Sequence, residues 1–475
     1  MKLIDLTIKG AREGILNKKF SCEELVKKSI SEIKDKDKKI NSFISLNDQA
    51  IEEAKEIDKK IKNNQKIGVL AGIPLAIKDN ISVDGLKCTA GSKMLEEYIA
   101  PYNATVVEKL KKAGAIIIGK TNMDEFAMGS SGEYSAFGPT KNPYDLTRVA
   151  GGSSAGSAAS VAAGFALGSL GSDTGSSIRQ PAAFCGLVGL KPTYGSVSRY
   201  GLIAMASSLD QIGPITKIVD DAETIFNIIK GRDERDSTSI KLPITNYQLP
   251  ITKKLKIGLP KEYFIEGLSK EIKKRIDEVI KKIEKLGAKI EKISLPHTEY
   301  ALPCYHIIMD AEASSNLGRF DGVRFSKFKT SKNKNIFDFY SEVRTEKFGP
   351  EVKRRIILGT FVLSAGYIDA YYLKAQKVRQ LIRKDFTDAF GKVDLIITPT
   401  TPTLAFKIGE KQNPLDIYLC DIFLAAVNLA GLPAISVPIG KSKDQSLPIG
   451  LQIIGSRFQE DLIFGLARTI EEIEK

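Results

Sequence analysis

The stretch that most narrows what this chain can become runs from Gly151 to Ser177 (GGSSAGSAASVAAGFALGSLGSDTGSS), where 27 residues include seven Gly, eight Ser and six Ala. Side chains this small let backbone pack against backbone. A flexible Gly/Ser linker is the bland alternative, but a linker would not carry Val161, Phe165, Leu167 and Leu170, whose spacing predicts a buried helix. The 24 uncharged residues from Val149 to Ser172 could span a bilayer by length, yet they are too rich in Gly and Ser to do so. A phosphate loop would need GxxxxGK[ST], and the lysine it places after its glycines is missing. What remains is a serine nucleophile in a glycine-lined cradle, where backbone N–H groups can meet an oxyanion that bulky side chains would obstruct.

A hydroxyl needs a base to become a nucleophile. The chain has only two histidines, His297 and His306, neither in a motif, and no GxSxG elbow, so a Ser-His-Asp triad has little support. A lysine is the better candidate. Lys78 closes the apolar run Ile73-Pro74-Leu75-Ala76-Ile77, and burial depresses a lysine toward the range where its neutral amine accepts a proton. Taken alone, a lysine after an apolar run also reads as a solvated strand end. The five cysteines (Cys22, Cys88, Cys185, Cys304, Cys420) are scattered without a CxxC, so neither a zinc site nor a disulfide framework is expected. Met1 to Phe20 carries seven charges and no apolar run, which predicts no signal peptide and a reducing, cytoplasmic location.

The 475 residues carry a formal charge of +13, which raises the question of nucleic acid. The excess is not where the chemistry is. Residues 71–230 hold 14 basic and 14 acidic side chains, whereas 1–70 hold 16 and 12 and the remaining 245 hold 40 and 31. Lysines interspersed with acids, as in Lys34-Asp35-Lys36-Asp37, read as solvated faces rather than a dedicated nucleic-acid surface.

Along the chain, residues 1–66 read as a helical layer, with a capping box at Ser21 and Glu24 and an amphipathic repeat over Ala50 to Ile61. From 67 to 230 short apolar runs closed by Gly or Pro alternate with helix, as in Ala104 to Ala113 followed by Ala115 to Gly119. Residues 231–255 are polar and turn-rich, a loop. Lys256 to Leu259 restarts as a strand before a charged helix over Ser269 to Leu286, and about 300–390 is a helical insertion. Val393 to Ile397, Ala434 to Pro438 and Gly450 to Ile454 complete the strands. The fold class is therefore α/β, a single large domain over 1–475 with a central mixed β-sheet between helical layers.

Several motifs, in this order, resemble the amidase signature family: Gly72-Ile73-Pro74-Leu75-Ala76-Ile77-Lys78-Asp79, Thr121-Asn122-Met123-Asp124-Glu125-Phe126-Ala127-Met128-Gly129, Gly151-Gly152-Ser153-Ser154, Gly171-Ser172-Asp173-Thr174-Gly175-Ser176-Ser177-Ile178-Arg179-Gln180-Pro181, and Gly189-Leu190-Lys191-Pro192-Thr193. The resemblance implies that Lys78 is the general base, that Ser153 is a relay serine held by a cis peptide after Gly152, and that Ser177 is the nucleophile. It further implies an oxyanion hole from backbone N–H groups around Thr174, Gly175, Ser176 and Ser177, braced by Asp173 and Arg179. The family usually has glycine where this chain has Ser176 and Ala155. The Ser176 side chain is expected to lie away from the oxyanion hole.

Within the family, segments such as Ser207-Ser208-Leu209-Asp210-Gln211-Ile212-Gly213-Pro214 and Arg354-Arg355-Ile356-Ile357-Leu358-Gly359 are similar to the glutaminase branch of tRNA-dependent amidotransferases. That likeness implies that Arg354 binds the glutamine carboxylate, with Arg355 as the competing neighbour, that Asp421 binds the ammonium, and that Tyr305 closes the pocket. It implies a ligase complex of protein biosynthesis in which subunits B and C are partners, Glu-tRNA(Gln) is the acceptor, and ATP and magnesium are used by the complex, with no cofactor or metal in this chain. The alternatives are a free-standing amidase on small amides, indifferent to the glutamine head groups, and a silent scaffold or RNA-binding protein.

Overall fold

Apolar runs closed by Gly or Pro become strands here because both of their faces are covered. The computed structural model describes residues 2–241, 255–326 and 335–475. Its strands are β1 Phe43–Leu46, β2 Pro74–Lys78, β3 Ile116–Thr121, β4 Lys141–Asn142, β5 Asp145–Val149, β6 Gly168–Asp173, β7 Val188–Lys191, β8 Gln211–Thr216, β9 Lys256–Pro260, β10 Lys289–Ile293, β11 Leu395–Pro399, β12 Ala434–Lys441 and β13 Pro448–Gly455. Eleven of them form one mixed sheet in the order β1-β3-β2-β6-β8-β7-β12-β13-β11-β9-β10, and β4 pairs with β5 as a separate hairpin. Pairing is parallel for β3-β2-β6 and for β11-β9-β10, and antiparallel in between and at β1. Strands β2, β3, β6, β7, β8, β11 and β13 are buried at every position, the pattern of a sheet covered on both sides. The helices Val219–Ile229, Arg179–Phe184 and Glu460–Ile473 supply part of that cover, against β8, β7, β12 and β13.

The helix Cys22–Ile40 starts at the expected cap: Ser21 Oγ accepts from Glu24 N, and the Glu24 carboxylate accepts from Ser21 N. Residues 1–66 are not helical throughout, however, because Phe43–Leu46 pairs antiparallel with β3 as the sheet edge. A larger departure falls in the Gly/Ser/Ala stretch. Its helix ends at Ala162, Gly164 turns the chain with a φ of +74, and Leu170 belongs to β6 rather than to a helix. The reason is space. A Cβ on Gly171 would come within 2.8 Å of Ser154 Oγ, so the bare strand lets the start of the helix Ala155–Ala162 lie directly against it. Strands β7, β8 and β10 were also not expected, since Gly189, Pro214 and the charges of Lys289, Glu291 and Lys292 mask them. The helical section contains Ala301–Asn316, Ile336–Lys347, Pro350–Leu363 and Lys374–Phe390. Of the loop read over 231–255, residues 242–254 lie outside the described residues, as do 327–334 of the helical section.

Candidate active site

Three neighbouring strands bring the chemistry together. Lys78 is the last residue of β2, between β3 and β6, and is fully buried. Its Nζ lies 2.8 Å from Ser153 Oγ, 2.9 Å from Ser172 Oγ and 3.2 Å from Ser172 O, while Asn80 Nδ2 donates to Ser172 Oγ at 3.0 Å. Burial pushes Lys78 down to about 7, against the opposing pull of Asp124, Asp173 and Asp210. A neutral amine keeps two N–H groups and one lone pair. With the N–H groups on the Ser172 oxygens, the lone pair faces the Ser153 hydroxyl.

Ser153 follows a cis peptide bond from Gly152 and precedes the helix Ala155–Ala162. The Gly152 N–H donates to Gln180 Oε1 at 2.8 Å. Only glycine fits there, because a Cβ would fall 2.1 Å from Asp124 Oδ2. Asp124 in turn accepts from Gly132 N at 3.0 Å and Tyr134 N at 2.9 Å, and its own N–H donates to Ser153 O. Burial raises its carboxyl to about 7. Ser177 lies on the turn between β6 and the helix Arg179–Phe184, and its carbonyl accepts from Ser154 N at 3.2 Å. Ser177 is buried as well, with 4% exposure where Lys78 and Ser153 have none.

The turn before Ser177 is fixed by a buried ion pair. Arg179 Nη2 meets Asp173 Oδ1 at 3.0 Å, with both side chains fully buried, and also donates to Gly175 O at 2.9 Å. Arg179 Nη1 reaches Gln452 Oε1 at 2.7 Å and Asn428 Nδ2 donates to Asp173 Oδ1 at 2.9 Å, tying the turn to β13 and to the helix Ala425–Ala430. Across a trans peptide the N–H points opposite the carbonyl, so holding Gly175 O on Arg179 turns the Ser176 N–H the other way. The Ser176 hydroxyl lies close enough to Asp421 to pull its carboxyl down against the effect of burial. Gly175 lies beneath the ring of Tyr305, 2.7 Å from where a Cβ would sit. Ala155, the other position where glycine is usual, is fully buried with its methyl against Gly132.

Around this core stand the remaining expected residues. Asp421 is buried, accepts from Ser130 Oγ through Oδ2, and its Oδ1 has no hydrogen-bond partner among the described residues. Burial raises it to about 6. Arg354 and Arg355 share Glu351 but differ in access. Arg355 is 4% exposed, locked by Nε on Glu351 Oε1 at 2.8 Å and packed over the Tyr418 ring, whereas Arg354 is 41% exposed. Arg354, though also paired with Glu351, is the more accessible of the two. Ser130, Ser172, Asn80, Asp124, Gln180, Glu351 and Tyr418 were not singled out from sequence as members of the site. Asp124, Ser172 and Gln180 lay inside the family motifs, but contacts such as Ser130 to Asp421 span 291 positions and leave no local signal.

Among the described residues no group of three or more His, Cys, Asp or Glu side chains is arranged to hold a metal, and no helix is long and apolar enough to cross a membrane. A family model described as Amidase matches residues 24–464. A protein of Carboxydothermus hydrogenoformans, named as the A-subunit of glutamyl-tRNA(Gln) amidotransferase, is 56% identical over 99% of this chain and 98% of its own length. One of the same name from Thermoanaerobacter pseudethanolicus is 55% identical over 100% of this chain and 98% of its own. The crystal structure of the corresponding glutamyl-tRNA(Gln) amidotransferase A-subunit from Thermotoga maritima superposes with a TM-score of 0.82 at 45% identity, covering 99% of this chain and 95% of that one.

Proposed function

The chain belongs to the amidase family, and on that premise we propose that it is the glutamine-hydrolysing subunit of a glutamyl-tRNA(Gln) amidotransferase. Neutral Lys78 takes the proton of Ser153, which takes that of Ser177 as its Oγ attacks the side-chain amide carbon of glutamine. Backbone N–H groups of residues 174–177 receive the oxyanion, where fixed donors act without reorganising. The proton returns through Ser153 to the leaving nitrogen, ammonia departs, and water releases glutamate from the acyl-Ser177 ester by the same relay. Arg354 offers its fork to the α-carboxylate, the free Oδ1 of Asp421 accepts from the α-ammonium, and Tyr305 covers the site above Gly175. The ammonia passes to partner subunits, B with the small C, where ATP and magnesium activate Glu-tRNA(Gln).

One observation carries this reading: a fully buried lysine, lowered to about 7, lies 2.8 Å from Ser153. The test is glutamine-dependent amidation of Glu-tRNA(Gln) by the chain co-purified with its partners. Glutamine hydrolysis is expected to rise when Glu-tRNA(Gln) and ATP are added, and Ser177→Ala is expected to abolish it. Hydrolysis indifferent to tRNA and ATP would instead indicate a free-standing amidase, and unchanged amidation by Ser177→Ala would refute the nucleophile.

A further inference from the structure

Next to Asp124, which holds the Ser153 loop, Glu125 is almost wholly buried and faces the other way. Its Oε2 accepts from Gly349 N at 2.8 Å, and its Oε1 accepts from Ser92 Oγ. Gly349 is the N-cap residue of the helix Pro350–Leu363, on which Arg354 sits in the second turn. No side chain of the helix's own caps that end, so Glu125 supplies a carboxylate where the helix dipole favours one. The fit is tight, since a Cβ on Gly349 would lie 2.4 Å from Glu125 Oε2. Phe126 and Ala127, the next two residues, hold φ values of +48 and +64, unusual for side chains of their kind. This turn sets Phe126 against Phe320 and Phe348, with centroids 4.9 and 5.7 Å apart, so the segment before the helix is gripped at Phe348 and Gly349 together.

The helix is seated a second time near its far end. A Cβ on Gly359 would come 1.9 Å from Asp310 O of the helix Ala301–Asn316, a backbone approach that leaves no room to slide. Between these points Glu351, in the first turn, accepts from Tyr418 Oη at 2.6 Å and pairs with Arg355, so the Gly349 contact sets the start of the helix together with that cluster. We infer that Glu125 is a positioning residue for substrate recognition, tying the helix that carries Arg354 to the loop that holds Ser153. Consecutive residues, Asp124 and Glu125, thus set the distance between the reacting serines and the arginine meant for the substrate carboxylate. The inference rests on the reading that Arg354 binds that carboxylate. The carboxyl, raised to about 7 by burial, accepts from Gly349 N whether or not it is protonated, so a glutamine carbonyl can do the same.

The test uses the full chain with its co-purified partners and two amides: glutamine, and 4-aminobutanamide, which lacks the α-carboxylate. Glu125→Ala is expected to raise KM for glutamine about tenfold with kcat within about twofold, the scale of a sub-ångström misplacement, and to leave 4-aminobutanamide unchanged. Glu125→Gln is expected to restore KM. Ser92→Ala, which removes one donor only, is expected to give a smaller rise and guards against an alanine variant that does not fold. Hydrogen exchange in the first turn of Pro350–Leu363 is expected to quicken in Glu125→Ala. An unchanged KM for glutamine, equal losses on both amides, or unchanged exchange in that turn would each overturn the inference. A wild-type protein that does not prefer glutamine over 4-aminobutanamide would instead refute the role of Arg354, and the exchange measurement alone then decides whether Glu125 holds the helix.

Discussion

Lys78 is useful only because it is buried. In water its amine would stay protonated to above pH 10, and a protonated amine cannot take a proton from Ser153. Burial lowers it to about 7, so the neutral fraction grows as pH rises through that value and saturates above it. We therefore expect kcat/KM for glutamine to climb with pH through an acid limb near 7. Asp124, raised to about 7 in the same cluster, shares that titration, so the limb belongs to the pair. A pH–rate profile of the complex checks this, and a flat profile from pH 6 to 8 would remove Lys78 as the base. Replacing Lys78 by Ala is expected to lower kcat/KM by about 10²–10⁴ above pH 7, the usual worth of a general base, and by progressively less as pH falls below 7. The Gly/Ser cradle and the apolar run before Lys78 pointed to a serine nucleophile and a lysine base, but Ser153 and the roles of the three residues in the proposed relay came from the family motifs. Asp124 and Glu125 were legible as a motif but not as a hinge between Ser153 and Gly349. Their carboxylates act on residues 132, 134 and 349, and nothing local to the motif marks those partners.

Among the elements, the helix Ala155–Ala162 shows how packing overrides propensity. Gly156 sits near its start, and helix propensity alone would favour alanine there by about 1 kcal/mol. Yet a Cβ on Gly156 would fall 2.3 Å from Ser42 O and 2.5 Å from Asn122 N, both backbone atoms that cannot swing aside. Gly156→Ala is thus expected to destabilise the protein by about 1–3 kcal/mol, the usual cost of overpacking. Urea denaturation of the purified variant decides the sign. A gain in stability would mean that the segment is looser than these contacts require. The same small side chains explain which elements the sequence revealed. Strands such as β3 and β13 announced themselves by Ile and Leu runs, and the helix Cys22–Ile40 by its capping box. Strand β6 did not, because Gly-Ser-Leu-Gly-Ser-Asp has one apolar side chain and is stabilised by its neighbours β2 and β8. Strand β8 carries Gly213-Pro214 in its middle and reads as a turn until its partners are known.

At the scale of the whole molecule, the +13 charge was the most visible number and the least informative, since the charges that matter are those taken inside. Burial raises Asp124, Glu125 and Asp310 to about 7 and Asp210, Asp221 and Asp421 to about 6. It lowers Lys78 and Lys191 to about 7. For the carboxyls, the folded state binds protons more tightly than the unfolded chain, so the stability they contribute is full below their ordinary range near 4 and is lost as pH rises through 6 to 7. For the two lysines, the folded state binds protons less tightly. Their contribution is full above 10.5 and is lost as pH falls through about 7. Carboxyls held low by partners, such as Asp233 at about 2, lose their stabilisation only in stronger acid, whereas His306, lowered to about 3 by burial, begins to lose its own as pH falls below 6.5 and offsets part of the carboxyl effect. Both sets therefore leave the protein weakest near neutrality, whereas many proteins are most stable there. At 1.36 kcal/mol per unit of pKa difference, the loss between pH 5.5 and 7 is on the order of 2 kcal/mol. The urea midpoint is expected to fall from pH 5.5 to 7 and to recover toward pH 9, and a maximum at pH 7 would show that these groups are better solvated than their burial implies. Lys78 and Asp421 are among the groups that make neutral pH unfavourable for folding, and under the proposed mechanism neutral pH is where Lys78 can be neutral while Asp421 is ionised.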